Sequence, residues 1–183
     1  MNKLALGTVQ FGLDYGVSST TGKVKPEEVG KILNYAHSAG ISLLDVAPAY
    51  GNSEKVLGNA NVDRFKVVTK TRHFDSFEIN NKDVELLRKD FACSLLDLKQ
   101  NSVYGVLVHN ADDLLKSGSE KLFDQLQELK QAEKIMKIGV SVYDYSQLQS
   151  IFDNFDIDLV QLPFNILDRR MIDSGMFATF KRD

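Results

Sequence analysis

Six short runs rich in Val, Ile and Leu alternate with longer segments of helical period, and this alternation constrains the chain more than any other feature. The runs are LALGTV (4–9), ISLLDVA (41–47), FKVVTK (65–70), YGVLVH (104–109), IMKIGVSV (135–142) and DLVQLPF (158–164). Most are apolar nearly throughout, the pattern of strands covered on both faces of a parallel sheet. Between them, Val29, Ile32, Leu33 and Ala36 follow i, i+3, i+4, i+7 spacing, with Pro26 near the start and Gly40 just past the end. Val84, Leu87, Phe91 and Leu95 form a second stripe behind the N-cap candidates Asn80 and Asn81. Leu122, Leu126 and Leu129 form a third after Ser119, and Leu148, Ile151, Phe152 and Phe155 a fourth. A short helix is expected to start near Asn52 or Ser53, and a last one to run from about Asp168 to Phe180.

Strand and helix thus repeat six times at the spacing of βαβ units, which favours right-handed crossovers and a parallel sheet. No linker, low-complexity tract or sequence repeat divides the 183 residues, so a single domain over 1–183 is expected. Two architectures fit: an open doubly wound sheet and a (β/α) barrel. A complete eightfold barrel typically takes about 250 residues and rarely fewer than about 200, so this chain is short for a closed one.

Composition excludes several function classes. Lys and Arg number 22 against 25 Asp and Glu, a net charge of −3, where nucleic-acid binding calls for a basic surplus. One cysteine, Cys93, leaves no internal disulfide and no CxxC zinc site. His37, His73 and His109 are too dispersed for a metal motif, and no metal is expected. No apolar run approaches the roughly 18 residues of a membrane helix, and the N-terminus lacks the continuous apolar core of a signal peptide. The expected location is cytoplasmic. His37 is expected on a helix surface, and Cys93, beside an apolar stripe, as a buried inert thiol.

In parallel α/β folds chemistry collects at the C-terminal ends of the strands. Asp45 lies near the end of the second run and Tyr50 follows in DVAPAYG; Lys70 ends the third run and His109 the fourth. Consecutive strands are usually neighbours, so a carboxylate, a phenol, an ammonium and an imidazole are brought to one rim. A buried Lys70 needs a partner, and Asp45 can be it. An ammonium beside Tyr50 is expected to ease loss of the phenolic proton, and a neutral His109 to hydrogen-bond a carbonyl oxygen. Structural ion pairing and ordinary packing are the competing explanations for each residue alone.

The segment DVAPAYG at 45–51 resembles the aldo-keto reductase signature, an Asp and a Tyr five apart followed by Gly, and Lys70 and His109 fall where that family has its other two active-site residues. LALGTVQFG at 4–12 resembles its first barrel strand; GVSVY at 139–143 and LVQLPFNILDRR at 159–170 resemble its fifth and sixth strand regions. The resemblance implies a (β/α)8 barrel of the TIM type, here incomplete with about six βα units, that reduces an aldehyde or ketone with NADPH. It implies Tyr50 as proton donor, Lys70 and Asp45 as the groups that tune it, and His109 as the group that places the carbonyl. By the same resemblance Ser141 and Gln161 match positions that bind the nicotinamide carboxamide, and Thr8 and Asp45 match positions near the ribose. Val142 stands where the family has Asn.

The match ends inside the sixth βα unit, without the seventh and eighth strands, which in the family hold much of the cofactor. No GxGxxG or GxxxxGK[ST] segment replaces them. A parallel barrel lacking two strands leaves open edges and uncovered apolar surface, so a homo-oligomer or a fragment of a longer chain is expected. Two further readings stand beside the reductase: a non-catalytic remnant serving as an interaction module, and a Schiff-base lyase using Lys70.

Overall fold

The computed structural model describes residues 3–16, 22–144 and 146–175, the side chain of Met171 apart. Among these residues six strands form one sheet in the order β1-β2-β3-β4-β5-β6, every neighbouring pair parallel. They are β1 (Leu6–Gly7), β2 (Leu43–Asp45), β3 (Lys66–Lys70), β4 (Val103–Val108), β5 (Ile135–Ser141) and β6 (Leu159–Gln161). Strand order equal to chain order is the winding of a barrel, not of a doubly wound sheet, whose order reverses at a switch point. The sheet curls into a partial (β/α)8 barrel with helices outside it.

The helices lie where the apolar periodicity puts them: α2 (Pro26–Ser38), α3 (Ser53–Asn59), α4 (Asn81–Leu98), α5 (Glu120–Gln131) and α6 (Ser146–Asn154). Asn80 caps α4 by accepting from the Lys82 N–H at 2.9 Å, and Asp83 completes a capping box on the Asn80 N–H at 2.9 Å. Past the end of α2, Gly40 adopts φ +79°, the left-handed conformation glycine tolerates best. Alternate strand residues Val67 of β3, Val106 and Val108 of β4, and Ile138 and Val140 of β5 join one core with Leu33, Leu57, Phe91, Leu126 and Ile151 of the helices. The intervening residues, Lys70 and Leu107 among them, face the other side of the sheet.

Several boundaries differ from the sequence expectation, among them β2, which is confined to Leu43–Asp45 of the expected 41–47. β1 shrinks to two residues because the chain turns at Val9 into a four-residue helix, α1 (Val9–Gly12), whose Phe11 N–H donates to the Thr8 carbonyl at 2.9 Å. β6 stops at Gln161, two residues before Pro163, which has no N–H to donate to a ladder. Of the helix expected over about 168–180, the described residues hold α7 (Arg170–Asp173); residues 176–183, with Lys181 and Arg182, lie outside them.

Candidate active site

The ends of β2, β3 and β4 bring the four rim residues together. Asp45 closes β2 and Lys70 closes β3, and His109 follows β4 directly. The Lys70 ammonium donates to the Asp45 carboxylate and, at 3.1 Å, to the Val46 carbonyl. It stands 5.0 Å from the centroid of the Tyr50 ring. The Tyr50 and His109 rings meet edge to face, centroids 6.2 Å apart and planes at 85°. These contacts run in a chain through all four residues.

The loop carrying Tyr50 is held in a narrow place. The Tyr50 N–H donates to the Ala47 carbonyl at 2.9 Å, and its carbonyl accepts from the Ser53 N–H at 3.1 Å. A Cβ on Gly12 would sit 1.7 Å from that same Tyr50 carbonyl oxygen, so only glycine lets α1 approach so closely. Gly51, next to Tyr50, adopts φ +61° with its Cα facing Gly12 and Leu13.

Electrostatics correct one expectation. The Tyr50 phenol is pushed up to about 12 by burial first and then by the Asp45 carboxylate, with Tyr143 and Tyr15 adding to it. Sequence reasoning expects Lys70 to ease release of the phenolic proton; instead the ammonium is engaged by Asp45, and loss of water around the ring dominates. Burial likewise pulls the Lys70 ammonium below its ordinary value, against the attraction of Asp45 and Glu54. The His109 imidazole is held below its usual value by burial and then by the neighbouring Lys70 charge, so it is neutral at pH 7.

The remaining rim residues fall into two groups. Thr8 is fully buried, and its hydroxyl donates to the Asp45 carbonyl at 2.8 Å. Ser141 and Gln161 are register partners at the ends of β5 and β6, so their side chains leave the same face side by side. Val142 is buried in the core, its N–H donating to the Gln161 carbonyl at 2.9 Å. A hydroxyl beside a primary amide offers both donors and acceptors, which fits the carboxamide end of a nicotinamide.

Other polar residues near the rim and on the helices have structural partners. Arg72 pairs with Asp90, its Nη2 at 3.0 Å, and His73 Nδ1 lies 3.3 Å from buried Asp113. His37 is exposed and packs edge to face on Phe65 at 5.7 Å. Asn165 caps its own loop by accepting from the N–H groups of Leu167 and Asp168 at 2.9 and 3.0 Å. Cys93 is exposed, not buried: the inward face of α4 is Leu87, Phe91, Ser94 and Leu98, and Cys93 lies off it. No group of three or more His, Cys, Asp or Glu among the described residues is placed to hold a metal ion.

Sequence reasoning missed Ser53 and Glu54. Both are buried, with Ser53 Oγ donating to the Thr8 carbonyl at 2.8 Å and Glu54 accepting from Thr69 Oγ1 at 2.6 Å. Ser and Glu in a first helical turn resemble ordinary start signals, so the pattern alone conceals that these side chains turn inward.

This arrangement has close relatives. The Aldo/keto reductase family matches residues 3–183. The NADH-specific methylglyoxal reductase of Escherichia coli is 27% identical over 191 residues, which are 93% of this chain and 57% of that protein. Aldo-keto reductase YhdN of Bacillus subtilis is 31% identical over 152 residues, 74% of this chain and 43% of YhdN. The chain therefore spans roughly half the length of these curated relatives. Among solved structures, PA4992 from Pseudomonas aeruginosa, described as an aldo-keto reductase, superposes with a TM-score of 0.76 at 27% identity, over 96% of this chain and 68% of that one. The holo form of AKR11C1 from Bacillus halodurans has the same fold, with a TM-score of 0.75 at 19% identity over 96% and 58%. With the family's match running from residue 3 to residue 183 of a six-stranded partial barrel, the chain belongs to the aldo/keto reductase family.

Proposed function

We propose that this chain carries the catalytic end of a reductase that converts an aldehyde or ketone to an alcohol, with Tyr50 as the proton donor. The observation that carries this reading is the placement of the Lys70–Asp45 pair against the Tyr50 ring, with a neutral imidazole meeting that ring edge to face. Tyr50, with its pKa near 12, keeps its proton at neutral pH and releases it only to a stronger base, the alkoxide that a reduced carbonyl becomes. His109 donates a hydrogen bond to the carbonyl oxygen and fixes its distance from the phenol. Lys70 and Asp45 hold each other and set the field at the phenolic oxygen.

Asp45, Ser141 and Gln161 are the residues that would hold the nicotinamide end of the cofactor, Ser141 and Gln161 offering their polar groups to its carboxamide. Thr8, matched to a position near the ribose, is fully buried with its hydroxyl on the Asp45 carbonyl and backs this wall instead of facing the cofactor. A reduced nicotinamide, when bound, supplies the hydride. The family resemblance favours NADPH, and the Escherichia coli relative is named as NADH-specific; both cofactors belong in the test. A soluble dinucleotide and a small carbonyl substrate suit a cytoplasmic enzyme. A second copy, or further residues of a longer parent, would cover the edges of β1 and β6.

Lys70 is poorly placed for Schiff-base chemistry, since its side chain is 1% exposed and its ammonium is already shared by Asp45 and Val46. The test is titration of NADPH and of NADH by fluorescence, followed by turnover of methylglyoxal as a small dicarbonyl probe. Saturable binding with turnover that falls about 10²–10⁴-fold in Tyr50→Phe, at unchanged cofactor affinity, supports the reading. Binding of neither cofactor, even with the site intact by circular dichroism, favours the non-catalytic remnant.

A further inference from the structure

Glu54 is a buried carboxyl, 6% exposed, that the reaction does not use. It lies four residues after Tyr50 in the first turn of α3, and its two oxygens face different elements. One accepts from Thr69 Oγ1 of β3 at 2.6 Å and the other from Ser94 Oγ of α4 at 3.1 Å. Thr69 precedes Lys70, and successive strand side chains point to opposite faces. The residue that Glu54 grips outside the sheet thus sits on the strand that presents Lys70 inside it. Ser53, just before Glu54, binds Thr8, whose hydroxyl is on the Asp45 carbonyl. Two consecutive side chains therefore tie the segment leading from Tyr50 to the strands that bear Asp45 and Lys70.

We propose that Glu54 is a positioning residue, bracing α3 against β3 and α4 through Thr69 and Ser94 so that Tyr50 is held in register with Lys70 and His109. Filling the space does not require a carboxyl, because an apolar side chain of similar volume does so without the cost of desolvation. What the carboxyl adds is direction: two bonds at fixed angles to two elements. Burial raises its pKa above the ordinary carboxylate value, against the pull of both hydroxyls. The inference rests on the reductase reading for its kinetic consequence, though not for its geometric one.

The experiment compares Glu54→Ala, Glu54→Gln and Thr69→Val in the full chain with tyrosine and histidine rings isotopically labelled. The structural readout is the nuclear Overhauser contact between the Tyr50 and His109 rings. The kinetic readout is kcat against KM for methylglyoxal. Glu54→Ala and Thr69→Val are expected to lose the ring contact and to lower kcat by about ten- to a hundredfold with KM little changed. Glu54→Gln, which bonds both hydroxyls by accepting from one and donating to the other, is expected to retain both. If Glu54→Ala does not fold, Thr69→Val keeps the side-chain shape and decides the matter. A folded variant with the wild-type ring contact overturns the proposal, and so does failure of Glu54→Gln, since charge and not bonding geometry would then be at work. Absence of turnover in the wild type sinks the reductase reading alone, because the ring contact still decides the role of Glu54.

Discussion

Lys70 and Asp45 end adjacent strands and meet ammonium to carboxylate, and the Lys70 side chain is 1% exposed against 19% for Asp45. The asymmetry sets what happens when either is removed. Lys70→Met leaves a mostly buried carboxylate without its cation. Asp45 retains some water, so the loss falls at the lower end for a broken buried pair, about 3 kcal/mol by urea denaturation. Lys70→Met with Asp45→Leu is expected to recover most of it, because no charge is then left unpaired.

The pH dependence of stability follows from His109 and Tyr50. The folded His109 binds its proton more weakly than the ordinary imidazole at 6.5, so the unfolded chain protonates first as pH falls. Its contribution is present above 6.5 and lost on the acid side. Tyr50 has the opposite sense: its contribution is full below 10 and disappears as pH rises toward about 12. Thermal midpoints should fall less from pH 7 to 5 in His109→Gln than in the wild type, and less above pH 10 in Tyr50→Phe.

The close approach of α1 to the Tyr50 loop gives a backbone test. A Cβ at Gly12 would lie 1.7 Å from the Tyr50 carbonyl oxygen and 2.6 Å from the Ser53 nitrogen, so one segment must move. Gly12→Ala is expected to cost about 1–3 kcal/mol or more and to lower turnover with it. Gly7→Ala is the control: nothing lies within 4 Å of its Cβ position, and the change should stay within about 1 kcal/mol. Thermal denaturation measures both.

Each edge strand of the described sheet, β1 and β6, pairs on one side only. Past β6, Phe164, Ile166 and Leu167 are 55%, 90% and 91% exposed. Open parallel edges beside exposed apolar side chains favour association. Sedimentation velocity of the isolated chain should show dimers or larger species, shifted toward monomer by Ile166→Lys with Leu167→Lys. A sharp monomer boundary for the wild type at the highest workable concentration would exclude self-association.

Much of the fold was legible because each element carries its signal locally. Apolar runs mark strands with both faces covered, Asn80 and Gly40 mark helix ends, and strand ends fix Asp45, Lys70 and His109 on one rim. Where no strand end fixes a side chain, the direction in which it turns was not legible. Cys93 looked buried because its neighbours form a stripe, and only the packing of α4 showed which face turns inward. The sign of the Tyr50 shift depends on how much water the ring loses and on where Lys70 directs its charge, and both are set by contacts between β2, β3 and the loop.

The sequence by itself determined the order of elements, the parallel sheet and the four chemical groups at its rim, since periodicity and strand ends are properties of neighbouring residues. Tertiary structure alone decided that Ser53 and Glu54 turn inward to bond Thr8, Thr69 and Ser94, and that burial raises the pKa of the Tyr50 phenol. Those outcomes rest on hydrogen bonds and desolvation between segments as far apart as 45 residues, for which no local pattern exists.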